Sequence, residues 1–119
     1  METKFNSQIC TTREQSEKLL ALGLKNETAD CCYYYYDGEY LIAFAEDAKY
    51  PSDIPAWSLH RLLSMLPSHI DGFRLKSDLV YSVEYENLIG FIQGYLYDNV
   101  IDCIEWLIKE GYFNKEYLV

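Results

Sequence analysis

Residues 33–45 read YYYYDGEYLIAFA, two runs of β-prone residues on either side of Asp37-Gly38. That dipeptide tolerates the positive φ angles of a two-residue type I′ turn, whose twist matches the right-handed twist of the strands it joins. The segment therefore predicts a β-hairpin. Aromatic residues on both runs supply cross-strand pairs. Neither run alternates strictly between polar and apolar, so both faces are expected to be at least partly covered, one of them by a helix. Four consecutive tyrosines on one strand divide about two to each face.

Helix signals flank the hairpin. Thr12-Arg13-Glu14-Gln15 is a capping box, in which the Thr12 hydroxyl and the Gln15 side chain satisfy backbone N–H groups at a helix start. The helix is expected to reach Leu22, with Gly23 in the left-handed position beyond its end, Leu24 folded back onto Leu19, and Glu14 paired with Lys18. Residues 26–30 offer a second cap and one further helical turn. After a loop over residues 50–55, Pro55 is expected to open a helix carrying Leu59, Leu62, Leu63 and Leu66, which Pro67 ends.

Two further strands are expected over residues 73–85 and 88–97, joined at Glu86-Asn87, with Gly90 and Gly94 marking bulges or close backbone approach. Asp98 or Asn99 is expected to cap a last helix. Its apolar stripe is Val100, Ile101, Ile104, Leu107 and Ile108, and its polar face is Asp98, Asp102, Glu105 and Lys109. Gly111 ends it, and the aromatic-rich tail lies back across the core.

These elements define an α+β fold: one small antiparallel sheet of about four strands packed against two to three helices, a single layer of each. Its 119 residues suit one core, so residues 1–119 are expected to form a single domain. No linker, repeat or low-complexity segment interrupts it, apart from the tyrosine run. The start lacks an apolar leader segment and no run approaches the roughly 18 apolar residues of a spanning helix, so a cytoplasmic protein is expected. Cys31 and Cys32 are adjacent, while Cys10 and Cys103 stand alone; this spacing fits free thiols better than a disulfide framework.

The formal charge is −9, and it is evenly spread. Residues 1–60 hold ten acids against five bases, and residues 61–119 nine against five. Nucleic acids and anionic membranes both demand clustered Lys and Arg, so direct binding to either is not expected.

No catalytic or cofactor signature stands out. Cys31-Cys32 lacks the spacing of a zinc pair, and His60 and His69 are nine residues apart without a carboxylate triad. Asp98, Asp102 and Glu105 share one helix face, where a solvated polar stripe with a Glu105–Lys109 pair explains them better than a cation site. Ser58, His60, Cys31 and Asp53 are candidate members of a nucleophilic constellation. Ser58 and His60, two apart on a helix, diverge by about 200° and form no dyad with each other. No Gly-rich phosphate loop precedes a helix. The chain is therefore expected to have no catalytic, metal or cofactor-binding residues.

Twelve tyrosines and two tryptophans are the least ordinary feature. Tyrosine is favoured at protein interfaces because it combines large contact area, few rotors and a hydrogen-bonding tip. Tyr34, Tyr36 and Tyr40, with Trp57 on the following helix, are the expected interaction surface. The blocks TTREQSEKLLALGLKNETAD, IPAWSLHRLLSMLP and YDNVIDCIEWLIKEGYF resemble a group of short Bacteroidetes proteins often encoded in prophages or mobile elements. That resemblance implies a phage- or element-linked cytoplasmic setting and carries no activity. The expected function is non-enzymatic protein–protein interaction or self-association. The alternatives are an acidic inhibitor or DNA mimic acting on a host nuclease or regulator, and a small hydrolase using Cys31 or Asp98.

Overall fold

The computed structural model describes residues 8–45, 53–77, 83–85, 88–91 and 95–119. In chain order the elements are α1 (Arg13–Ala21), β1 (Cys31–Tyr36), β2 (Glu39–Phe44), β3 (Ile54–Ala56), α2 (Leu59–Ser64), β4 (His69–Ile70), β5 (Phe73–Ser77), β6 (Val83–Tyr85), β7 (Ile89–Phe91) and α3 (Leu96–Glu110). Single 3-10 turns lie at Asn26–Thr28 and Lys115–Tyr117. The architecture is α+β, as the hairpin and helix signals require. Its antiparallel strands fall into two sheets, ordered β2-β1-β3 and β4-β5-β6-β7.

Local chemistry sets the element ends. At α1 the capping box is complete: the Gln15 N–H donates to Thr12 Oγ1 at 3.1 Å and the Thr12 N–H to Gln15 Oε1 at 2.9 Å. Gly23 takes φ +104°, and the Leu24 N–H returns to the Leu19 carbonyl at 3.2 Å, the two-bond stop expected at this glycine. Gly111 repeats it after α3 with φ +82°, the Tyr112 N–H reaching the Leu107 carbonyl at 2.8 Å.

The main core is built from α3, α1, α2 and the four-stranded sheet. Leu19, Leu62, Val83, Tyr85, Val100, Ile104 and Leu107 are all fully enclosed. Each such side chain contributes about 1.5–3 kcal/mol through removal from water. The tail closes over them: Phe113 is in the core, Leu118 bridges Leu24, and the Val119 N–H donates to the Gly23 carbonyl at 2.7 Å.

Several boundaries differ from expectation. Pro55 lies in β3 opposite Cys32 rather than opening α2. α2 starts instead at its cap Ser58, whose Oγ accepts from the Arg61 N–H at 3.1 Å. The cap wins because Ser58 also docks on Asp30, through its N–H at 2.8 Å and its hydroxyl at 2.5 Å, which fixes the chain as extended up to that point. Residues 73–85 contain two strands that pair with each other, β5 and β6, because Leu75 and Tyr85 share a register. Of the strand expected over residues 88–97, β7 is described at Ile89–Phe91 and residues 92–94 lie outside the described residues; α3 begins at Leu96 with Tyr95 as its cap residue, upstream of Asp98 and Asn99. Asn99 is buried inside the helix rather than capping it. Glu86-Asn87 and Gly94 lie outside the described residues.

Candidate functional site

The main core draws no side chain from β1 or β2. β1 instead joins a smaller cluster in which Cys10, Cys31 and Ala56 are buried and Tyr33 packs alongside. The hairpin therefore extends away from the interior it would otherwise help to fill.

Its register follows from the turn. Asp37 at φ +49° and Gly38 at +85° form the two-residue connection, which pairs Tyr36 with Glu39, Tyr35 with Tyr40, Tyr33 with Ile42 and Cys31 with Phe44. One face consequently carries Cys31, Tyr33 and Tyr35 on β1 beside Tyr40, Ile42 and Phe44 on β2. Residues 11–13, at the start of α1, cover part of this face: Tyr33 donates to the Thr11 carbonyl at 2.8 Å, and the Arg13 guanidinium sits 4.2 Å from the centre of the Tyr40 ring. The rest of this face is open along β2 and at Tyr35. Tyr35 is 65% exposed, Phe44 68%, Ile42 44% and Tyr40 41%, with Tyr35 and Tyr40 meeting edge to face at 5.2 Å.

The expected interaction residues divide accordingly. Tyr40 lies on the open face, Tyr36 is exposed on the opposite one, and Tyr34 beside it is half-buried. Trp57 offers no surface at all: it is 0% exposed, and its indole N–H donates to Thr28 Oγ1 at 2.9 Å. A large ring next to a hydrogen-bonding hydroxyl is better placed in the core than in water, which corrects its assignment to an interface. Tyr35, Ile42 and Phe44 were missing from the expected set. Counting outward from Asp37-Gly38 with period two would have found them.

The residues considered for catalysis have structural duties. Ser58 caps α2 and donates its hydroxyl to Asp30. Burial, then the nearby Asp30 carboxylate, push the Cys31 thiol up to about 12, opposite to the lowered value an activated thiolate needs. Asp98 accepts from Gln15 Nε2 at 2.7 Å on the surface. Lys18 pairs with Asp102 at 3.3 Å and Glu105 at 3.4 Å across the α1–α3 junction, rather than with Glu14 on its own helix. His60 and His69 are exposed. Among the described residues, no group of three or more His, Cys, Asp or Glu can hold a metal ion, and every buried side-chain polar atom has a hydrogen-bond partner. All four cysteines are buried, and no disulfide links them. No described helix is long and apolar enough to cross a membrane.

No protein family and no curated protein matches the chain, and no solved structure matches it.

Proposed function

We propose that this chain acts by binding protein, through the exposed apolar side chains of the β1–β2 hairpin, without catalysing a reaction. The observation that carries this reading is the concentration of exposed apolar side chains there. Five of the eleven large ones exposed among the described residues, Tyr35, Tyr36, Tyr40, Ile42 and Phe44, belong to a hairpin that gives nothing to the main core. All of these but Tyr36 share one face, and contiguous exposed apolar surface of this kind marks contact sites. The tyrosines supply contact area at low entropic cost. In this reading the protein works in the cytoplasm of its host, in the phage- or element-linked setting that the resemblance implies.

The test uses Tyr35→Ser with Phe44→Ser, positions exposed enough for the fold to be retained. Wild type and variant are compared for self-association and, as immobilised bait in host lysate, for proteins retained at micromolar concentration. Loss in the variant of an association seen with wild type supports the reading. Equal behaviour of the two chains, or no association by either, overturns it.

A further inference from the structure

Among the described residues the two sheets end in four edges, and three of these are short. β3 is three residues long and β4 two, and β7 is described over Ile89–Phe91. β3 also places Pro55 opposite Cys32, between the pairs Cys31–Ala56 and Tyr33–Ile54. At that position the backbone turns its groups away from β1, so the missing proline N–H removes a donor from the outer edge. β2 has none of these devices. It runs six residues, has β1 as its one neighbour among the described residues, and holds no Pro, Gly or Lys from Glu39 to Phe44.

Its hydrogen-bonding pattern is set by the turn. The pair closing a two-residue hairpin, here Tyr36–Glu39, exchanges both backbone bonds, and bonded and non-bonded pairs then alternate. The ladder continues in phase at the Ala45 N–H, which donates to the Asp30 carbonyl at 3.1 Å. Glu39, Leu41 and Ala43 therefore face β1. Tyr40 and Ile42 turn their N–H and C=O groups to the open edge, and these same residues carry exposed apolar side chains.

We infer that this edge is covered by β2 of a second copy, antiparallel, about a two-fold axis through Leu41. This rests on the binding role proposed for the hairpin and names its partner. The pairing is self-complementary. Tyr40 meets Ile42 of the second copy as a hydrogen-bonded pair, in both directions. Leu41 meets Leu41, and Glu39 meets Ala43, so no acid opposes an acid within the ladder. Both open faces then lie on one side of a continuous six-stranded sheet, where their Tyr40, Ile42 and Phe44 side chains form one apolar band. A symmetric contact of this type closes at two copies, because among the described residues each chain has one such edge.

Sedimentation equilibrium from about 1 µM to about 500 µM tests it, a range suited to contacts of modest area. The wild-type mass is expected to rise with concentration from 14.0 kDa to twice that value and no further. Ile42→Pro removes an N–H that no intramolecular bond uses, and it should stay at the monomer mass with wild-type circular dichroism. Ile42→Glu keeps every backbone donor and should also stay monomeric, so it decides the matter if the proline variant fails to fold. A wild type that remains at 14.0 kDa throughout overturns the inference, as does either folded variant that dimerises like wild type. A monomeric wild type whose hairpin still captures a host protein, lost on Tyr35→Ser with Phe44→Ser, would overturn self-pairing while leaving the binding role standing.

Discussion

Thr28 ties three parts of the chain together through one hydroxyl. It accepts from the Trp57 indole at 2.9 Å and donates to the Lys25 carbonyl at 2.7 Å, inside the core. Thr28→Val keeps the shape and strands the indole N–H, which should cost about 1–3 kcal/mol in urea unfolding. A change below a few tenths would mean that the indole finds another acceptor. The buried thiols make a second expectation at this scale. Burial holds Cys103 and Cys31 up to about 12, against an ordinary 9.0. Between those values the unfolded chain has released protons that the folded chain keeps. Stability is therefore full below pH 9 and falls as pH rises toward 12. Cys103→Val should flatten that decline when urea midpoints are followed from about pH 8 to about pH 11; an unchanged slope would contradict the assignment.

Element ends depend on backbone geometry more than on contacts. At Gly111 the backbone is left-handed and an added Cβ would meet nothing within 4 Å, so Gly111→Ala isolates conformational strain, about 1–2 kcal/mol. Gly90 sits in β7 without positive φ, and its added Cβ would meet Glu84 Cβ at 3.7 Å, an ordinary contact. Gly90→Ala should therefore be close to neutral in thermal melts, and a loss as large as at Gly111 would show hidden strain. The Lys18 bridges to Asp102 and Glu105 are half-exposed, so Lys18→Ala is worth under about 1 kcal/mol.

What was legible at this scale is what local chemistry decides: the capping box, both glycine stops, the Asp37-Gly38 turn and the apolar stripe of α3. What was not legible depended on distant partners. Ser58 became a cap because Asp30 holds it, and Lys18 left Glu14 because α3 brings two carboxylates within reach. Pro55 was read by its helix-opening preference, yet β1 recruited its neighbours into a strand. For the candidate site, Tyr40 is exposed and Trp57 is enclosed in the core. A tryptophan's size marks an interface and a core equally, and only its hydrogen bond to Thr28 distinguishes them.

The molecule as a whole combines a filled core with a hairpin held outside it. The charge of −9 acts against self-pairing at long range, although no acid faces an acid across the inferred ladder. Raising salt from about 50 mM to about 500 mM shortens the Debye length from beyond 10 Å to below it, so dimerisation should tighten with added salt. Weakening instead would point to a contact built on ion pairs. Amide hydrogen exchange tests the central claim most directly, since it reads the edge itself. The Tyr40 and Ile42 amides should exchange quickly in dilute solution and become protected as concentration rises, while the Leu41 amide, already bonded to β1, changes less. Tyr40 and Ile42 amides that exchange at one rate across that range would contradict pairing at this edge.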